Sequence, residues 1–377
     1  MRRFLLFWVG ILLPLWASAQ WSITPAVSMM FDDNVNNDYQ RTADRVSSLS
    51  LTIERDWETE RGGLALFYGG GLTYFSKVTD RTFHVHTAGM KLTTVFGPEE
   101  QGSLSSGLSY QTRVNREWYT FYDYRNVSFD AAAEYILSDL IVGKAAYTFN
   151  SYSFRNLSEF DHTEHVGLIR LRSSLQTRTS LMFEGTIGEK IYSTSNEQDI
   201  VSMAGGTGWR GAGSMNGSAP SVTQATALIR VGQGITDATG LSLTTQYLWN
   251  LKKESRFLST DYGAVSDDEV FDDHYGYEGP SWNLMLTQIL FEDLSLRVKA
   301  GTQRRSYSAR QAFDLQGEDL GFTREDFRSF LTLSVRRSFP TLGVSVDLLY
   351  DYIRNDSNDP YYHYSNNALS VEFSFLF

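Results

Sequence analysis

The chain closes on A-L-S-V-E-F-S-F-L-F, Ala368 to Phe377. Leu369, Val371, Phe373, Phe375 and Phe377 fall on one parity, and Ser370, Glu372 and Ser374 on the other. Successive side chains of a strand point to opposite faces, so this segment has one wholly apolar face and one mostly polar face. In water such a strand would be an unprotected edge and an aggregation hazard. In a bilayer, acyl chains cover the apolar face. Lipid offers no hydrogen-bond partners, so the backbone edge must pair and the sheet must close on itself.

The same alternation recurs along the whole chain. Early examples are Trp21, Ile23, Val27, Met29 and Phe31, then Leu49, Leu51 and Ile53, then Leu64, Leu66, Tyr68, Leu72 and Tyr74. Late examples are Leu294, Leu296, Val298 and Ala300, and Leu342, Val344, Val346, Leu348, Tyr350 and Tyr352. There are 16 such segments, and almost no 3.6-residue periodicity. Short connections (58–62, 97–102, 138–139, 176–179, 232–239, 292–293, 338–341) alternate with longer ones (32–44, 78–81, 115–121, 155–160, 193–221, 253–279, 309–323, 354–363). That rhythm predicts an all-β fold: a closed antiparallel transmembrane β-barrel of about 16 strands, with 14 or 18 as alternatives. The short turns would be periplasmic and the long loops extracellular. Tyr74, Tyr110, Tyr147, Trp249 and Trp282 near the long-loop ends, and Trp57, Phe96, Tyr135 and Phe291 near the short-turn ends, read as two interface girdles.

The remainder of the sequence agrees. Arg2 and Arg3 precede an apolar run of 13 residues, Phe4 to Trp16, and then Ala17-Ser18-Ala19. The run falls short of the roughly 20 residues that span a bilayer. Residues 1–19 therefore read as a secretory leader, and 20–377 as the barrel. The chain has no Cys, which excludes disulfides, thiolate metal sites and a Cys nucleophile. Aromatic residues make up 14 % and Pro is scarce at seven. A net charge of −11 argues against nucleic acid as a partner.

Charges on the parity opposite the apolar face are expected to line a wet lumen, because charged mid-strand residues do not suit a buried core. They are Lys91, Arg113, Asp130, Glu134, Lys144, Arg170, Arg172, Glu184, Lys190, Arg230, Arg297, Lys299, Arg328, Arg336, Asp347, Asp351 and Glu372. Arg297, Lys299, Arg328 and Arg336 form a basic wall beside the acidic Asp347, Asp351 and Glu372. Two readings stay open: a transverse field for polar solutes, or cross-strand ion pairs that fill the lumen. Sixteen strands leave room for an aqueous channel.

Four stretches invite other chemistry. Asp32-Asp33-Asn34-Val35-Asn36-Asn37-Asp38 places oxygen ligands at alternate positions, as a calcium loop does. It has Asn37 where such a loop has Gly, and Ala43 where it has Glu, so no metal site is assigned. His363-Tyr364-Ser365-Asn366 resembles the H-x-S-N form of some outer-membrane lipid hydrolases, in which His activates Ser. Asn367 and Asp351 are the sequence's candidates for orienting that His. The Gly-rich loop 202–218 is expected outside the barrel rather than folded into it, and the acidic loop 253–279 is expected to be solvated.

The stretch Ile23-Thr24-Pro25-Ala26-Val27-Ser28, followed by Phe31-Asp32-Asp33-Asn34-Val35, resembles the opening of the β-barrel porin 2 family. That resemblance implies an outer-membrane barrel of a Gram-negative bacterium, often associated with exopolysaccharide gene clusters, and it carries over no functional residues. The expected function is a porin-like channel for polar solutes or polysaccharide export, with no cofactor and no catalytic residues. The alternatives are a lipid hydrolase using His363 and Ser365, and a sheath around a partner protein. Expected partners are outer-membrane lipid and lipopolysaccharide, polysaccharide-export components, and the barrel-assembly machinery. That machinery would read Phe373, Phe375 and Phe377 as an assembly signal.

Overall fold

The structure is a computed structural model that describes residues 20–193, 221–252 and 274–376. The leader, the Gly-rich loop, most of the acidic loop and Phe377 lie outside the described residues. The strands are β1 (Gln20–Asp32), β2 (Asp44–Thr59), β3 (Gly62–Phe75), β4 (Phe83–Phe96), β5 (Gly102–Asn115), β6 (Tyr124–Ser138), β7 (Ile141–Phe154) and β8 (His162–Ser174). They continue as β9 (Thr179–Tyr192), β10 (Ser221–Gly234), β11 (Thr239–Asn250), β12 (Gly279–Phe291), β13 (Leu294–Phe313), β14 (Asp319–Phe339), β15 (Val344–Ser357) and β16 (Tyr364–Phe375). Each pairs antiparallel with its sequence neighbours, and β16 returns to β1, so the sheet is a closed barrel.

Closure explains why the apolar parity needs no protein cover. Trp21, Met29 and Phe31 on β1, Ile169 on β8, Ile187 on β9 and Trp282 on β12 are all more than half exposed. A soluble protein does not tolerate a belt of that size, whereas hydrocarbon solvates it at no cost. No helix among the described residues is long and apolar enough to cross a membrane. At the short-turn end Arg55 lies over the rings of Trp21 and Trp57 at 4.9 and 4.6 Å. Such a cation–aromatic cluster is at home at a headgroup boundary. Gly343, at φ +62°, ends the turn before β15, where a Cβ would press on the Leu376 carbonyl.

One expected loop is largely strand. The stretch 309–323 is absorbed by β13 and β14, which run to Phe313 and from Asp319. Their extension is held by buried side chains that the alternation rule does not weigh: Tyr307, Arg310, Ala312 and Arg324. The buried apolar residues lie at the long-loop end of the barrel. The largest cluster joins Tyr119 and Tyr122, from the loop after β5, to Tyr124, Phe154, Leu157 and Phe160.

The seam between β1 and β16 is tied at its extracellular end by the two motifs that looked like sites. Asp33 Oδ1 and Oδ2 accept from the Asn367 backbone N–H and Nδ2, both at 2.7 Å. Asn366 Nδ2 donates to the Asn34 carbonyl at 2.9 Å and to Asn37 Oδ1 at 2.8 Å. Asn34 Nδ2 donates in turn to the carbonyls of Asp38 and Ser365. The alternating Asp and Asn side chains thus serve the chain's own backbone, as Asx residues do in turns. Below this clasp the β1–β16 register stops at Ala26–Ser374, next to Pro25, which has no N–H to donate.

Asn366→Ala removes two buried bonds and leaves the Asn34 carbonyl with the Asn37 backbone N–H alone. A loss of about 1–3 kcal/mol is expected, read as a lower unfolding midpoint of the detergent-solubilised barrel. Burial raises the Asp38 carboxyl above its ordinary value, against the opposing bonds from the Gln40 and Arg41 backbone. A raised carboxyl binds its proton more tightly folded than unfolded. Its destabilising contribution is therefore present at neutral pH and is relieved as pH falls toward the unfolded value near 3.8. The midpoint of the wild type is expected to rise on mild acidification by more than that of Asp38→Asn.

Candidate functional site

Side chains that meet one another inside the barrel mark the inward parity. Gln224 on β10 donates to Asn250 Oδ1 on β11 at 2.8 Å, and both are buried. Following the register from that pair places Lys91, Asp130, Glu134, Arg170, Arg172, Glu184 and Arg230 on the lumenal face. Arg297, Lys299, Arg328, Arg336, Asp347, Asp351 and Glu372 lie on the same face through β13 to β16.

Arg113 also points inward, but it does not meet open lumen. It is buried under the loop after β5, 4.0 Å over the Phe83 ring, and donates to Asn115 Oδ1. Its parity was legible in the sequence, while the loop that covers it was not.

Ion pairs and hydrogen bonds occupy part of the lumenal charge. Arg170 pairs with Glu184 at 2.5 Å, and Arg336 with Asp347 at 2.6 Å. Asp351 takes the Thr332 hydroxyl at 2.6 Å, and Arg230 Nε donates to Thr244 at 3.0 Å. Arg297 and Lys299, by contrast, face Thr287, Ser334, Met285 and Thr332 across the sheet, with no carboxylate alongside. Glu54 and Asp56 on β2 also face inward, because Asp56 is registered with Ala65 and Ala65 with Lys91. The outward parity of Leu49, Leu51 and Ile53 carried that information. Among the described residues, β15, β16, β1 and β2 put carboxylates and no basic residue on the inner wall. The lumen thus has a basic arc around β13–β14 and an acidic arc around β15–β2.

A segment that sequence reasoning missed lies inside the barrel. Residues 274–277, just before β12, run along the inner wall rather than outside it. Gln224 Nε2 donates to the carbonyls of His274 and Tyr277, at 2.5 and 3.1 Å. Tyr275, buried, reaches β8 and donates to Glu164 Oε1 at 3.0 Å. It lies against Gly188, where a Cβ would collide with its hydroxyl. Tyr277 accepts from Gln303 Nε2 at 3.2 Å and sits under the Arg305 guanidinium at 4.7 Å. A loop between β11 and β12 is thereby fastened to β8, β10 and β13. The available signal was H-Y-G-Y after an acidic run: two tyrosines with no strand of their own to sit on.

The His363–Ser365 pair faces outward at the rim of β15 and β16. Ser365 Oγ receives Arg41 Nη2, and no hydrogen bond joins it to His363 among the described residues. His363 Nδ1 lies 3.9 Å from Asp356. Neither of the expected orienting residues is available to it: Asn367 belongs to the seam clasp, and Asp351 is in the lumen.

Over 95 % of its length the chain matches OccAB1 of Acinetobacter baumannii (96 % of that chain), with TM-score 0.56 and 10 % identity. It matches OpdL of Pseudomonas aeruginosa over 96 % of its length and 99 % of that chain, with TM-score 0.53 and 11 % identity. The outer membrane protein OpdK of Pseudomonas aeruginosa matches over 95 % and 99 %, with TM-score 0.53 and 10 % identity. The fold is that of a Gram-negative outer-membrane porin barrel. The family model for surface lipoprotein assembly modifier matches residues 236–377, from the turn before β11 to the last residue. No curated protein matches the chain.

Proposed function

We propose that the chain is an outer-membrane channel that passes small polar, charged solutes by diffusion, without covalent chemistry. The observation that carries this reading is the division of the inner wall into the basic arc of Arg297, Lys299, Arg328 and Arg336 and the acidic arc of Asp347, Asp351, Glu372, Glu54 and Asp56. Side-by-side arcs of opposite sign orient a dipolar solute and raise its local concentration. A wall meant only for packing would pair its charges, and Arg297 and Lys299 have none opposite. Single-channel recording in planar bilayers tests the reading. Discrete conductance is expected, and Arg297→Glu with Lys299→Glu should shift ion selectivity toward cations. A barrel that inserts but never conducts would overturn it.

A second reading is favoured by the match over residues 236–377: assistance in assembling surface lipoproteins. Its test is surface display of a lipoprotein with and without the chain. Polysaccharide passage is the narrower form of the channel reading, supported by the resemblance at Ile23–Val35, and is tested by polymer export in a deletion strain. The hydrolase alternative has little geometric support, because Ser365 contacts Arg41 instead of a base. Unchanged lipid deacylation in Ser365→Ala is the expected result.

A further inference from the structure

The outer wall over β2–β7 is indented. A recess of about 840 Å3 opens there, and its lining is mainly apolar. Two adjacent outward rows of the register build it. The upper row starts at Trp57 on β2, crosses Ser106 and Ala131, and ends at Tyr147 on β7. The lower row runs Thr59, Gly62, Thr94, Leu104, Ala133 and Ala145, every member but Leu104 small. Gly62 must stay small, since a Cβ there would strike the Thr93 carbonyl. The trough crosses six strands, or about 24 Å at roughly 4.8 Å per interstrand step. Strands of such barrels tilt by about 35–45°, so the trough slants through the belt. It begins at the short-turn rim and is continuous with the lipid-facing surface already described.

The rim supplies the rest of the site. Arg61 lines the recess at the turn between β2 and β3. Glu60 adjoins it in that turn, and Glu99 and Glu100 occupy the next one, between β4 and β5. Three carboxylates in the turns around Arg61 suit a headgroup that carries an ammonium beside its phosphate. They do not suit a purely anionic headgroup, which they would repel.

We propose that this trough is a specific lipid site, taking one acyl chain of a zwitterionic, amine-headed phospholipid from the periplasmic leaflet. The phosphate sits on Arg61, and the ammonium faces Glu60, Glu99 and Glu100. The proposal rests on the outer-membrane reading, which orients the short turns toward the periplasm. A leaflet's hydrocarbon is about 15 Å deep, half of the roughly 30 Å bilayer core, so a chain laid along a slanting 24 Å trough, measured at about 4.8 Å per strand, stays within it.

The test uses the full chain in vesicles doped with phospholipids brominated on their acyl chains, headed by ethanolamine or by glycerol. Quenching of Trp57 is isolated by subtracting the signal of Trp57→Phe. The ethanolamine lipid is expected to quench Trp57 about threefold more effectively, the scale of one exposed ion pair. Ala145→Phe should abolish that preference by filling the floor. Arg61→Gln, in an exposed turn that bears no packing, should reduce it with the barrel intact. Equal quenching by both lipids, or a preference that survives Ala145→Phe, would make Trp57 a reporter of ordinary boundary lipid and overturn the site. A preference for the glycerol lipid would overturn it equally. Failure of any brominated lipid to quench any tryptophan would sink the outer-membrane reading itself, and the site with it.

Discussion

Asp326→Ala is expected to cost the barrel about 3–5 kcal/mol, the penalty for leaving one member of a buried ion pair alone. Asp326 and Arg324 lie two apart on the inner face of β14, joined by a bidentate contact at 2.9 and 2.5 Å. Their side chains are 0 % and 3 % exposed. Arg324 is clamped between the rings of Tyr307, at 4.5 Å, and Tyr362, at 3.4 Å. Without the carboxylate a full guanidinium charge remains buried between two aromatic faces. The same site holds down the extended tips of β13 and β14 and the loop after β15, where Arg310 Nη2 donates to the Tyr362 hydroxyl. Thermal or denaturant midpoints of the detergent-solubilised protein report the loss. Replacing both partners with apolar residues of similar volume should recover most of it, because it removes the desolvation cost together with the attraction.

The second large effect is on conduction. Tyr275→Ala should release the segment 274–277 from the inner wall and raise single-channel conductance. The ring is buried against Tyr192 and Val222, and its hydroxyl is spent on Glu164. Truncating a buried aromatic side chain costs about 3 kcal/mol or more. That shifts the docked-to-released ratio of this segment by more than about a hundredfold. Gln224→Ala should act in the same direction, since Gln224 Nε2 holds the carbonyls at both ends of the segment. The two effects should not add, because each variant breaks the same attachment. A conductance equal to wild type in both would mean that the segment does not narrow the path.

Much of the fold was legible because a closed barrel in lipid is governed by one rule of period two. Parity along β1, β13 and β16 separates apolar from polar faces without reference to any neighbour, and the 16 segments counted in the sequence are the 16 strands observed. The same rule placed Arg297, Lys299, Asp347 and Glu372 on the inner wall. It failed where side chains from distant segments meet. Arg113 is inward yet covered. Most of the stretch 309–323 is strand because Tyr307, Arg310 and Arg324 bury one another. The Asp32–Asp38 run and the His363–Asn366 run each looked like a site alone, and Asn34 and Asn37 of the first meet Asn366 of the second in one clasp.

What the sequence determined by itself was the closed all-β barrel of about 16 strands, and which side chains share the outward face and which the inward face of each strand. Those follow from alternation, a property of each strand separately. What only the tertiary structure decided was the infolded segment at 274–277, the seam clasp, the buried Arg324–Asp326 pair and the recess at Ala133 and Ala145. Each depends on which strands become neighbours and on the heights at which their residues are registered, and no single strand carries that information.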